Sequence, residues 1–301
     1  MNGIIIVKKE KGYTSHDVVA KLRGILHTKK IGHTGTLDPD AVGVLPVCIG
    51  KATKVCDLLM DKEKTYLAEV KLGITTDTLD MTGKTLTEKK VTVTPEEIER
   101  CLSSFRGEIQ QIPPMYSAIK VNGKKLYELA RQGKEIKRKP RKVTIHELLL
   151  RDMALANNEF TIEVTCSKGT YIRSLCQDIG EKLGCGAAMK SLVRTRVGRF
   201  TLEKARTLGE MEALAKDGEV ETVLIPIDQV FDMYRRCDVQ EPAMKFLRNG
   251  NLVKPEFCRL KDIEDGEQVR IYGTEGEFYA IYRYEATDNM LHIVKMFHIE
   301  E

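Results

Sequence analysis

The stretch Gly32–Pro46, GHTGTLDPDAVGVLP, begins as a loop and ends as a strand, with two acidic residues, Asp38 and Asp40, about its centre. Gly32 and Gly35 let backbone come close to a ligand because no Cβ stands in the way. Thr34 and Thr36 add short hydrogen-bonding side chains. Pro39 restricts the residue before it, so Asp38 is held extended rather than floppy. These are properties an active-site loop needs. An Asp-Pro pair in a Gly/Thr-rich loop is more often a plain turn, so the stretch unaided names no chemistry.

Upstream, Thr14 has Asp17 three residues on, and Val18, Leu22, Ile25 and Leu26 follow at helical spacing; a helix should run to about His27. From His27 to Gly43 the chain is rich in Gly, Thr, Asp and Pro and is predicted to hold no regular element. Downstream, Val44 to Ile49 is predicted as a buried strand. Tyr66, Ala68, Val70 and Leu72 alternate with Leu67, Glu69 and Lys71, as in a half-buried strand. Thr94-Pro95-Glu96-Glu97 starts a helix carrying Ile98, Leu102 and Phe105. Phe160, Ile162, Val164 and Cys166 alternate as a strand, and Lys168-Gly169 turns the chain into a helix with Ile172, Leu175, Ile179 and Leu183, closed by Gly184. The pattern mixes α and β with no regular βαβ repeat. After about Arg235 a short helix (Pro242 to Leu247) precedes strand-like runs Gln268 to Tyr272, Phe278 to Tyr282 and Leu291 to Phe297, predicting a small, mostly β C-terminal domain.

A chain of 301 residues suggests two domains, at the usual scale of about 150 residues each. With 42% hydrophobic and 31% charged residues it has the composition of a soluble globular protein. No window approaches the run of about 18 apolar residues needed to span a bilayer, so a cytoplasmic protein is expected. The cysteines at 48, 56, 101, 166, 176, 185, 237 and 258 form no C-x-x-C pair, and neither zinc nor a disulfide framework is predicted. Net charge is only +4, yet Lys120 to Lys142 holds ten Lys or Arg against two Glu. Such a segment is either a phosphate contact or a solvated face.

GHTGTLDPDAVGVLP, KTYLAEVKLG followed by TTDTLDMTG, IPPMYSAIKVNGKKLYELARQG and CSKGTYIRSL occur in the order and spacing of TruB-type tRNA pseudouridine synthases, which the chain resembles over about residues 2 to 230. The resemblance implies a pseudouridine synthase catalytic fold, α/β mixed, with a mixed and mainly antiparallel sheet over residues 1–232. It implies an RNA-gripping thumb at about 113–142 and a PUA-like RNA-binding domain over 233–301. The implied reaction isomerises the T-loop uridine at tRNA position 55 to pseudouridine and involves base flipping; help with tRNA folding is a second implied role. No electrons are exchanged and no water is consumed, so no cofactor and no metal is expected. The partner implied is the tRNA T-arm, with no membrane and no obligate protein partner, for a monomer.

By the same resemblance Asp38 is the nucleophile. Attack at ribose C1′ and attack at uracil C6 are both open to it. Arg173, in GTYIR, would keep that carboxylate ionised against desolvation; otherwise it is a surface charge at a helix start, where the helix dipole disfavours a cation. Tyr66 would stack on the base with its phenol near the carbon that loses a proton. Tyr171 and Leu192 would line the uracil pocket, although a strand Tyr or a Leu in an apolar run is otherwise core. His33 would fill the gap left by the extruded base. Lys120, Lys124, Lys125, Arg131, Lys137, Arg138, Lys139, Arg141 and Lys142 would contact RNA phosphates.

The chain departs from the family pattern at Glu10, where Pro is usual after Lys9, and at Asp40 and Val42 after the aspartate. Asp40 is a second carboxylate near Asp38 and is predicted to point to solvent. A guide-directed, dyskerin-like subunit shares the aspartate motif; the thumb segment and the lack of long basic tails favour the stand-alone enzyme. A non-catalytic RNA-binding protein of the same fold is disfavoured by the presence of Asp38, Tyr66 and Arg173 together.

Overall fold

The computed structural model describes residues 1–121 and 123–298. Seven strands lie side by side in the order Gly3–Lys9, Val42–Ile49, Ala187–Val197, Lys64–Leu72, Glu159–Cys166, Arg141–Ala154 and Gly107–Gln111, with Ile31–His33 and Phe200–Thr201 added at the side. Val42–Ile49 pairs in parallel with Ala187–Val197; the other pairings of this sheet are antiparallel, giving the mixed, mainly antiparallel sheet that the family resemblance implies.

Alternation decides which face each strand buries. On Lys64–Leu72, Tyr66, Ala68, Val70 and Leu72 point into a core shared with Ile98 and Leu102 of helix Pro95–Ser103 and with Leu175 and Ile179 of helix Ile172–Lys182. At the other end of the sheet, Ile5 and Val7 face Val18 and Leu22 of helix Ser15–Ile25 and Met211 of helix Leu208–Lys216. Ile4 and Ile6, one residue out of phase, face Phe231, Phe297 and Ile281 on the opposite side. The predicted helix starts are capping boxes, Thr14 with Asp17 and Thr94 with Glu97.

A second sheet runs in the order Arg235–Asp238, Gln268–Tyr272, Phe278–Glu285, Met290–Met296, and packs on helix Glu241–Arg248 through Val269, Tyr282, Met244 and Leu247. Its Phe278 and Phe297 also pack against the cluster containing Val55 and Leu59, so the two sheets share buried surface.

The segment from His27 to Gly43 is not wholly irregular. Ile31–His33 pairs with Ile49–Val47 and places His33 at a strand end. The basic segment is not one element either: Lys120–Val121 and Lys124–Lys125 pair as two short strands, Leu126–Arg131 is helical, and Arg141 begins a 14-residue strand of the main sheet.

Candidate active site

Asp38 sits on a loop that three buried groups tie down. Arg194 donates from Nη2 to the Gly35 carbonyl at 3.1 Å, from Nη1 to that of Thr36 at 3.4 Å and from Nε to that of Val44 at 2.8 Å. Ser15, at the start of its helix, accepts from the Leu37 amide at 3.0 Å. Lys9 donates to the carbonyls of Pro39 at 2.9 Å, Tyr13 at 2.5 Å and Glu10 at 3.1 Å, and burial pushes its amine down to about 8. Gly43 explains how the loop comes so near the Ala187–Val197 strand. Its φ is +116°, and a Cβ there would lie 2.2 Å from the Arg194 carbonyl oxygen, so only glycine fits.

Arg173 meets Asp38 from the first turn of helix Ile172–Lys182. Nε lies 2.9 Å from Oδ2 and Nη2 donates to Oδ1 at 3.1 Å, a forked pair in which the guanidinium is buried and the carboxylate half-open. Two further N–H donors go to the carbonyls of Thr78 at 3.2 Å and Tyr116 at 2.9 Å. Arg173 is therefore no surface charge. The helix dipole disfavours a cation there, and the carboxylate and two carbonyls offset that penalty. The preceding turn is fixed by the Gln111 side-chain amide, which accepts from the Tyr171 amide at 2.7 Å and donates to the Tyr171 carbonyl at 3.0 Å.

A second carboxylate does stand beside Asp38, and it is Asp80 rather than Asp40. Asp40 is exposed, as expected. Asp80 lies 3.9 Å from Arg173 Nε, and its other oxygen accepts from Thr78 Oγ1 at 2.7 Å, Thr82 Oγ1 at 2.6 Å and the Thr82 amide at 3.0 Å. Leu79 just before it has φ +65°, a left-handed conformation unfavourable for a branched side chain, held by backbone bonds from Met81 to Met189 and from Met189 to Leu79. Burial raises the Asp38 carboxyl above its ordinary value, Arg173 opposes this, and Asp80 reinforces it.

Tyr66 lies across from Arg194 on the neighbouring strand, and Leu192 across from Ala68. Both belong to the buried cluster that includes Leu37 of the Asp38 loop, so that loop is anchored in the core. Burial raises the Tyr66 phenol, and the Arg194 guanidinium pulls the other way. Tyr171 is half-buried, its phenol raised by burial. His33 is half-buried, accepts from the Gly35 amide on Nδ1 at 3.4 Å, and stands edge-on to His16 with ring centroids 5.3 Å apart. Burial, then His16 and Arg194, lowers its pKa, so the ring is neutral near pH 7.

The predicted RNA-binding cations split into two groups. Lys120, Lys124, Arg131, Lys137, Lys139 and Arg141 are exposed, while Lys125 and Arg131 both lie 5.4 Å from the centre of the Tyr127 ring. Arg138 donates to the Pro113 carbonyl at 3.0 Å and Lys142 pairs with Glu108 at 2.7 Å, so these two already have partners. Among the described residues no cluster of His, Cys, Asp and Glu is arranged to hold a metal ion, and no helix is long and apolar enough to cross a membrane.

A family model described as the TruB family pseudouridylate synthase N-terminal domain matches residues 23–172, and one described as the tRNA pseudouridylate synthase B C-terminal domain matches residues 173–232. The tRNA pseudouridine synthase B of Lachnoclostridium phytofermentans is 54% identical over 306 residues, covering 99% of this chain and 100% of that protein. That of Bacillus subtilis is 44% identical over 288 residues, covering 94% and 93%. Among solved structures, an H/ACA RNP bound to a substrate RNA containing 2′-deoxyuridine aligns with TM-score 0.74 and 25% identity over 98% of this chain and 85% of that one. A Cbf5–Nop10–Gar1 complex aligns with TM-score 0.73 and 27% identity over 99% and 85%.

Proposed function

This chain belongs to the TruB family of pseudouridylate synthases, and on that premise we propose that it converts the T-loop uridine at position 55 of tRNA to pseudouridine, with Asp38 as nucleophile. The observation that carries the proposal is the forked contact of Arg173 with Asp38 in a site closed on its inner side by Tyr66 and Leu192. A carboxylate meant only for structure would have its oxygens enclosed. Asp38 keeps an open side, while one buried cation holds it charged and oriented.

The target uridine is stacked within a folded RNA loop, so it must be extruded before Asp38 can reach it, at a cost of about a few kcal/mol. His33, neutral and ring-shaped at the mouth of the site, takes the place of the displaced base. Tyr66 stacks on the flipped uracil, and Tyr171 and Leu192 confine it. The exposed cations between Lys120 and Arg141 form the thumb that grips the phosphates, over about 113–142, and the second sheet belongs to a PUA-like domain over 233–301 that lengthens the RNA contact. In this reading the enzyme acts as a monomer in the cytoplasm, with the RNA grip supplied by the thumb of the same chain.

Mapping pseudouridine in RNA from cells that lack this gene tests the assignment. The expected result is loss at position 55 of tRNAs and nowhere else in the T-loop. A map identical to that of the parent cells overturns it.

A further inference from the structure

Arg194 is 1% exposed and is among the largest fully buried side chains in the protein. A guanidinium so deep ordinarily faces a carboxylate. Here the partners are the loop carbonyls of Gly35 and Thr36 and the strand carbonyl of Val44, and, among the described residues, the acidic group facing it is the phenol of Tyr66. The two residues are opposite one another in the antiparallel pairing of Ala187–Val197 with Lys64–Leu72. The register is set locally, because the pairing is irregular between Met189 and Ser191 and again between Arg194 and Arg196, so Ser191 to Arg194 is a short in-phase window between two bulges. Gly43 pairs with Arg194 on its other side. One side chain thus bridges the Asp38 loop and the Tyr66 strand.

We propose that Arg194 is a positioning residue for the proton-removal half of the reaction, acting through Tyr66: it fixes the phenol oxygen against the Asp38 loop and favours that oxygen as proton acceptor. This rests on the assignment of Tyr66 above. After uracil rejoins ribose through C5, the C5–H bond breaks, its electron pair restores the C5–C6 double bond, and the proton goes to the Tyr66 oxygen. The π pair between N1 and C6 returns to N1, which takes a proton from solvent, and Tyr66 releases the C5 proton to solvent, so the count closes. A neutral phenol is a poor base, and a permanent cation against its oxygen favours the phenolate. The groups facing Tyr66 are Arg194 from one neighbouring strand, Cys166 from the other, and Asp38 from the loop; burial, Cys166 and Asp38 oppose ionisation, and Arg194 opposes them. Lys9, Lys64 and His33 are the further groups close enough to feel the Arg194 charge.

The experiment is single-turnover conversion of a T-loop transcript carrying C5-deuterated uridine, across pH, by the full-length enzyme and by Arg194→Gln, Arg194→Lys and Tyr66→Phe. Gln retains an amide donor for the loop but no charge; Lys retains the charge but not the fork. The expected result is a loss of about 10²-fold for Arg194→Gln, with a larger deuterium isotope effect and a rising limb moved to higher pH, both largely restored in Arg194→Lys. Equal losses in both variants with an unchanged isotope effect and unmoved limb would show that Arg194 only staples the loop. Should Arg194→Gln fail to fold, Arg194→Lys decides alone: a moved limb or enlarged isotope effect despite its charge contradicts the proposal. Full proton removal by Tyr66→Phe would sink the Tyr66 assignment itself, a result distinct from either.

Discussion

Arg173 holds Asp38 through both oxygens, Nε to Oδ2 at 2.9 Å and Nη2 to Oδ1 at 3.1 Å, while two backbone carbonyls take two of its other N–H donors. The pair is fixed from both sides, by the helix that carries Arg173 and by the loop that Lys9, Ser15 and Arg194 secure. Lysine has the charge but not the planar fork. Arg173→Lys is expected to fold and bind tRNA, with single-turnover rate down on the order of 10²-fold because the carboxylate is no longer oriented. A rate within a factor of about two of the parent would show that orientation by the fork is unnecessary.

Asp38 must be ionised to attack, and burial followed by Asp80 holds its carboxyl above the ordinary value. The acid limb of the rate should therefore lie above the ordinary aspartate value. The sign for stability is opposite to that of a salt-bridged acid: with the folded-state pKa raised, ionisation disfavours the fold, and stability from this group increases as pH falls through the folded value. In Asp80→Asn one of the raising charges is gone. The limb should move to lower pH, checked by rate against pH; a limb that stays put means Asp80 does not act on Asp38.

Lys9 donates to three carbonyls from a fully buried position, beneath Pro39. Lys9→Met leaves them without a donor and should destabilise the fold by roughly 1–3 kcal/mol. Because burial lowers this amine from 10.5 to about 8, the folded state favours its neutral form, and its contribution to stability rises with pH between those values. Denaturant titrations of both proteins at pH 7 and pH 9.5 check it: the parent should gain on the variant at the higher pH.

Much of the site could be read from the sequence because its residues sit in local motifs. Alternation located Tyr66, the capping box located the helix before the loop, and GTYIR located Arg173. What escaped are groups that become chemistry only through long-range contact. Asp80 belongs to a turn held by a left-handed Leu79 and by Met189, more than a hundred residues on. Arg194 lies in AAMKSLVRTRV, whose two bulges break the period of two, so a buried arginine there looks like a surface cation. The Gly3–Lys9 strand is buried on both faces and lacks alternation for the same kind of reason. The charge run from Lys120 concealed where the main sheet begins, at Arg141, because composition does not distinguish an exposed loop from a strand near a sheet edge.

Lys120, Lys124, Lys137 and Lys139 are exposed, whereas Lys142 and Arg138 already have protein partners. Replacing the first four by Gln should weaken tRNA binding and flatten the plot of log affinity against log salt by about 0.7–0.9 for each phosphate no longer neutralised. Replacing Lys142 alone should change the slope less. An unchanged slope in the fourfold variant would assign these lysines to a solvated face.

The most direct measurement is pseudouridine formation by Asp38→Asn on a T-loop transcript, with tRNA binding measured on the same preparation. Asparagine keeps the shape and removes the nucleophile. With Asp38 as nucleophile, turnover should vanish while binding persists within a few-fold. Pseudouridine formed at a rate near that of the parent enzyme would contradict that role.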